Sequence, residues 1–204
     1  MNEYLVTMTT HVPDGTSEQS VDLVKDREAV RAGELAAQGH LLRLWRPPLQ
    51  PGEWRTIGLF AADDEIDLEK NLASMPLRVW RTDDVTPLSH HPNDPGPQPS
   101  APGSWSGTEF LTTFTLGIPP GTPASLVDDN KAREARRTQQ LAGQGRLLRL
   151  WMLPEEGRSL GLWRASTVSE MQEILASLPL AGWLTVETLP LSRHPSDPAG
   201  RWVR

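Results

Sequence analysis

The chain has 204 residues, with 20 basic and 26 acidic side chains for a formal charge of −6, and no cysteine. With no basic cluster to offset it, that balance argues against phosphate backbones and anionic membranes as partners, and the absence of thiols excludes disulfides and thiolate catalysis. No apolar run approaches the ~20 residues of a membrane span, and Met1-Asn2-Glu3-Tyr4 opens no charged-then-apolar leader, so the expected protein is cytoplasmic, with neither nucleic acid nor membrane as partner.

Taken in chain order, residues 4–12 alternate as a strand, with Tyr4, Val6 and Met8 on one face, and Pro13-Asp14-Gly15 turns the chain. Thr16-Ser17-Glu18-Gln19 has capping-box spacing, which predicts a helix running to about residue 38 and stopped by Gly39. A strand follows, Leu41-Leu42-Arg43-Leu44-Trp45, then a proline-rich loop, a strand over 54–61, a helix over 63–74 and a closing strand over 79–88. The order βαββαβ is that of ferredoxin-like folds, two helices on one face of a four-stranded antiparallel sheet.

The same unit then recurs. Gly39-His40-Leu41-Leu42-Arg43-Leu44-Trp45 returns as Gly145-Arg146-Leu147-Leu148-Arg149-Leu150-Trp151, and Lys25 and Glu28 return as Lys131 and Glu134. Residues 92–107, rich in Pro, Gly and Ser, read as a linker between copies spanning 1–91 and 108–204. The expected fold class is α+β: two tandem ferredoxin-like βαββαβ units packed as a pseudo-dimeric α/β barrel, since each unit's bare sheet face needs a cover and a tandem copy supplies one at high effective concentration.

Several residues break the pattern. Lys25 and Glu28 fall on the same helical stripe as Val21, Val24, Ala32 and Leu35, and Lys131 and Glu134 sit likewise between Val127 and Leu141. Charges there must be paired, wetted by a pocket or neutralised. One reading is a helix rotated to leave a surface Lys–Glu pair. The other is an ion pair facing a cavity, where a partly desolvated glutamate has its pKa raised toward neutral and can take and return a proton.

On the repeated strand, strict alternation puts Leu42 and Leu44 against the helices and Arg43 and Trp45 on the other face, with Arg149 and Trp151 as their twins. Arg43 could hold a substrate carboxylate with two parallel hydrogen bonds, or form a salt bridge to an acid such as Asp84 or Glu187. Each copy ends in a histidine before proline, His91-Pro92 and His194-Pro195, placed either as acid–base groups over a neighbouring pocket or as anchors of a tail. The five histidines show no metal-ligand spacing, and there is no Walker loop, dinucleotide turn or Gly-x-Ser-x-Gly elbow; Gly103-Ser104-Trp105-Ser106-Gly107 carries Trp at the nucleophile position.

The helical Lys-x-x-Glu, the Leu44-Trp45-Arg46 strand, Leu178-Pro179-Leu180 and the closing Arg193-His194-Pro195-Ser196 together resemble the muconolactone isomerase family, over nearly all of each half. The resemblance implies a cofactor-free, metal-free isomerase that shifts a double bond in a butenolide lactone by proton transfer, with Lys25, Glu28, Lys131 and Glu134 as catalytic residues. Arg43, Arg149, Trp45, Trp151, His91 and His194 become the substrate-binding set. It further implies self-association, as a pseudo-dimer within the chain and a ring of such chains, five in the simplest case. The halves differ at His40 against Arg146, Arg46 against Met152, and His90 against Arg193, which leaves open whether both are active. Two other functions keep the same fold: a non-catalytic small-molecule-binding or regulatory module, and an enzyme on another substrate, such as a lactone dehalogenase or a polycyclic ketone tailoring enzyme.

Overall fold

A computed structural model describes residues 1–97 and 107–200; the middle of the expected linker and the tryptophan-centred glycine–serine motif lie outside the described residues. The chain divides into two compact units, Met1–Leu88 together with the segment from Ser192 onward, and Ser89–Leu191. The first six elements are β1 (Asn2–Thr10), α1 (Glu18–Ala37), β2 (Leu41–Arg46), β3 (Arg55–Ala62), α2 (Glu65–Ala73) and β4 (Arg81–His90). The second copy repeats them as β5 (Thr108–Leu116), α3 (Ala124–Gly143), β6 (Leu147–Met152), β7 (Arg158–Ala165), α4 (Val168–Ala176) and β8 (Leu184–Arg193). The βαββαβ order expected twice is present twice.

In the first unit the antiparallel sheet runs β4-β1-β3-β2, and β2 also pairs with the end of β8 through Trp45–Arg193 and Arg46–Ser192. In the second unit the order is β8-β5-β7-β6, and β6 pairs with the end of β4 through Met152–Ser89 and Trp151–His90. The compact units therefore do not coincide with the sequence copies at their ends, and each is completed by a closing segment that follows the other copy's last strand.

The core of the first unit is what the alternation of β1 dictates. Tyr4, Val6 and Met8 pack with Ala32 and Leu35 of α1 and Leu68 and Leu72 of α2, all buried. α1 starts one residue later than its expected cap: Ser17, not Thr16, is the N-cap, accepting from the Ser20 N–H at 3.2 Å. Its end is a Schellman motif, with the His40 N–H on the Leu35 carbonyl and the Gly39 N–H on that of Ala36, which needs the φ of +80° that Gly39 adopts. α3 ends in the same way at Gly145, with φ of +69°. The motif reverses the chain within three residues and delivers it into β2 and β6.

The strict alternation expected of β2 fails. The register slips between Leu41 and Arg43 against β3, and β6 slips identically between Leu147 and Arg149. The slip inserts one extra residue, a β-bulge, so Leu41 and Leu44 both face the helices and Leu42 does not. A one-residue shift moves every earlier side chain to the opposite face.

The second unit's core is sharper in one respect. Trp163 is 1% exposed, donates its Nε1–H to Thr112 Oγ1 at 2.8 Å and meets Phe114 edge-on, with ring centroids 6.2 Å apart. Beside it Gly161 leaves no room: a Cβ there would lie 2.2 Å from Trp163 Nε1 and 2.8 Å from Thr112 Oγ1. Gly161→Ala must displace the indole and break its hydrogen bond, so it is expected to cost about 1–3 kcal/mol in denaturant unfolding, with loss of the buried-tryptophan fluorescence signature.

Candidate active site

Each unit holds a cavity between its long helix and its sheet, about 540 Å³ in the first and about 380 Å³ in the second. The first is lined by Lys25, Glu28 and His194, the second by Lys131, Glu134 and His91. Three of the residue pairs singled out from the sequence are thus brought together twice. The histidine in the first copy's cavity comes from the far end of the chain, and the histidine in the second's from the tail of the first copy.

The glutamates are the inward members. Glu28 Oε2 accepts the Leu77 N–H at 2.8 Å, and Glu134 Oε2 accepts the Leu180 N–H at 3.0 Å. Both donors follow a proline, in Met75-Pro76-Leu77 and Leu178-Pro179-Leu180, so the tripeptide noted in the sequence supplies the N–H that fixes the carboxyl. Burial raises the pKa of both above the ordinary carboxylate value, against the lowering pull of that backbone hydrogen bond.

The lysines do not complete inward ion pairs. Lys25 is half exposed, lies 3.4 Å from Asp22 and rests over the Trp54 ring at 5.3 Å; Lys131 is likewise exposed at the rim. The expected Lys25–Glu28 pair is therefore replaced by a split, with the acid inside and the amine at the mouth. A residue three places along a helix lies on a neighbouring bearing, and the flexible lysine stem carries its ammonium to water.

What pairs with Glu28 is Arg81, at 3.1 Å, which in turn meets Asp83 at 2.6 Å; the Arg81 and Asp83 side chains are each only 2% exposed. Nothing in the sequence pattern marked Arg81. In the second unit the equivalent β8 positions are Leu184 and Val186, and Glu134 has no salt bridge among the described residues.

Arg43 and Arg149, expected to bind a substrate carboxylate, are already held by carboxylates of the chain. Arg43 Nε and Nη2 reach Asp197 at 3.1 and 3.2 Å, and Arg149 Nε lies 3.2 Å from both oxygens of Asp94. The salt-bridge alternative holds, with Asp197 and Asp94 in place of Asp84 or Glu187. Trp45 and Trp151 are 1% and 2% exposed, stack under these guanidiniums at 4.7 Å and line neither cavity.

The aspartates also accept the Leu44 and Leu150 N–H groups beside the bulges, at 3.0 and 2.8 Å. They close a tight turn. In His194-Pro195-Ser196-Asp197 the Asp197 N–H returns to the His194 carbonyl and the Ser196 N–H to His194 Nδ1; His91-Pro92-Asn93-Asp94 repeats both contacts. The signal that could have found them is an acid three residues after each closing histidine. An accepting Nδ1 leaves the ring proton on Nε2, so each imidazole is a neutral donor. Burial, and after it the charge of Arg46, lower the His194 pKa to about 4, and burial likewise lowers that of His91.

Among the described residues no group of three or more His, Cys, Asp or Glu is placed to hold a metal ion, and no helix is long and apolar enough to cross a membrane.

Each half of this duplicated ferredoxin-like fold thus brings a desolvated glutamate, a rim lysine and a neutral histidine to one cavity. The sequence model of muconolactone delta-isomerase matches residues 2–94 and again 108–197, and the chain belongs to that family. Muconolactone Delta-isomerase 1 of Acinetobacter lwoffii is 32% identical over 43% of this chain and 92% of its own length; the Cupriavidus pinatubonensis enzyme is 30% identical over 43% and 96%. Each such relative therefore corresponds to one copy. Across the whole chain the fold resembles a heme-binding protein of Thermus thermophilus, with a TM-score of 0.60, 10% identity, and 96% and 93% of the two chains covered.

Two measurements check this geometry. Asp94→Ala strands a buried guanidinium and frees a backbone N–H, so it is expected to cost about 3 kcal/mol or more in denaturant unfolding, whereas removing exposed Asp22 should change stability by less than about 0.5 kcal/mol. Glu134 holds its proton more tightly native than unfolded, so the native state binds more protons above the ordinary carboxylate range, and stability falls as pH rises through that window. Glu134→Gln is accordingly expected to melt higher than the parent near pH 8 and level with it near pH 4.

Proposed function

We propose that the protein is a cofactor-free isomerase that moves a double bond within a butenolide lactone of the muconolactone type, using a buried glutamate as proton carrier. The observation that carries this reading is the pair of desolvated carboxyls, each pinned by one backbone N–H inside a cavity with a lysine at its mouth and a neutral imidazole opposite. Family membership supplies the reaction class.

The carboxylate removes the acidic proton from the ring carbon that bears the side arm, conjugated through the double bond to the lactone carbonyl, and the electron pair spreads over the ring as a dienolate. The resulting carboxylic acid returns the same proton to the far end of the allylic system, so atoms and charge balance with no other reactant. A pKa raised by burial suits both halves of the task, since the acid must be strong enough to give back what the base took. The lysine ammonium and the imidazole Nε2–H, common to both cavities, are donors for the enolate oxygen, where a preorganised donor acts most strongly.

The glutamates are unequally free to do this. Both oxygens of Glu28 have partners, the Leu77 N–H and Arg81, whereas Glu134 Oε1 has no protein partner among the described residues. An oxygen held by a guanidinium is a poorer base, so Glu134 is the stronger candidate.

The test is exchange and migration of lactone protons in deuterated solvent, followed by NMR on metal-stripped protein. Activity is expected, falling about 10²–10⁴-fold in the Glu28→Gln, Glu134→Gln double variant, with Glu134→Gln alone accounting for the larger share. A folded protein that neither exchanges nor isomerises butenolides sinks the proposal. Full activity in the double variant sinks the assignment of the base.

A further inference from the structure

The two cavities have kept the same acid, amine and imidazole but not the same walls. At the end of β2 the first cavity carries Arg46, and at the start of β4 it carries Arg81; the second has Met152 and Leu184 at those positions. Met8 and Thr10 of the first wall become Phe114 and Leu116, and Trp54 becomes Gly157.

The arginines are not interchangeable in what they leave available. Arg81 is spent on Glu28 and Asp83. Arg46 is exposed, close enough to His194 to lower its proton affinity, and has no ion-pair partner among the described residues. Arg43, earlier on the same strand, is held by Asp197. Arg55 lies 3.8 Å from Glu53, so within this cavity Arg46 is the guanidinium with no acidic partner among the described residues and a fork open to an incoming carboxylate. In the second cavity Arg158 lies 3.6 Å from Glu155, and Met152 offers that position only a thioether.

We propose that the two cavities select ligands by charge: the first binds a lactone bearing a carboxylate arm, anchored by Arg46, and the second binds an uncharged lactone among Met152, Phe114, Leu116 and Leu184. The lactone ring in this statement rests on the isomerase reading; the sorting by charge rests on the walls. A carboxylate facing Met152, Phe114, Leu116 and Leu184 would be desolvated against side chains that offer it no hydrogen bond, a cost the first cavity offsets with a bidentate contact at Arg46. The rim lysine, common to both, does not discriminate.

Each cavity contains its own reporter, the ring Cε1–H of His194 or of His91, resolved by NMR and assigned by His→Gln variants. The probes are the saturated five-membered lactone with an acetic acid arm and its methyl ester, neither of which has a double bond to move. The acid is expected to shift His194 at lower concentration than His91, and the ester to shift His91 first. Arg46→Met should raise the acid concentration needed at His194 by about tenfold or more, the loss of one charged hydrogen-bonded contact. Met152→Arg should bring His91 under the control of the acid.

Equal response of the two histidines to the acid, no saturable response at either, or an acid response unchanged in Arg46→Met each overturns the proposal. Because neither probe is turned over, these outcomes are independent of the proton-exchange assay. A protein that sorts the probes but isomerises nothing would leave the charge selection intact and remove the isomerase reading.

Discussion

The site depends on one constraint: a carboxyl group kept out of water by a helix and oriented in both copies by one backbone N–H, to which Arg81 adds a second contact at Glu28. Burying a carboxylate without a partner is costly, and a carboxyl with every lone pair satisfied has little reason to exchange a proton. The turn after the second helix in each unit resolves this. Its proline cannot donate, the next residue's N–H is left without a helical acceptor, and Glu28 or Glu134 reaches across to take it. The carboxyl is thereby oriented without being neutralised, and desolvation can lift its proton affinity.

The other side of each cavity is set by a second lock. A His-Pro-x-Asp turn directs its aspartate at the arginine of the repeated strand and at the N–H beside the bulge, and this plants the histidine over the cavity with its Nδ1 occupied. The arginine and the tryptophan under it are therefore architecture. They fix the position of the imidazole, and with Leu41 turned to the helices the bulge keeps them on the opposite side of the sheet.

Duplication within one chain relaxes a restriction that a homodimer cannot escape, because each copy can vary alone. The first copy carries Arg81 and Asp83 around its glutamate, a buried charge network, while the second has leucine and valine there and a glutamate with one oxygen open. The same freedom put arginine at the end of β2 and methionine at the end of β6.

The duplication, the βαββαβ order, the family and the acid–amine pair were all legible in the amino acids, because periodicity, caps and turn residues act over a few positions and leave local marks. The helix stop at Gly39 could be read, since a helix end of this kind needs a residue that tolerates positive φ. Three things needed the folded chain. The bulge after Leu41 has no compositional mark, and it exchanged the facings of Leu41 and Leu42; the acid that occupies Arg43 is Asp197, 154 positions away. The separation of Glu28 from Lys25 depended on which of two neighbouring helical bearings lay under the turn at Leu77. The pairing of His194 with the first cavity joins residues far apart in the sequence, that of His91 with the second joins one copy's tail to the other copy, and no local pattern encodes which strand end such a segment will reach. Contacts between distant residues are fixed by the sum of many weak packing terms, which is why they emerge only in the tertiary structure.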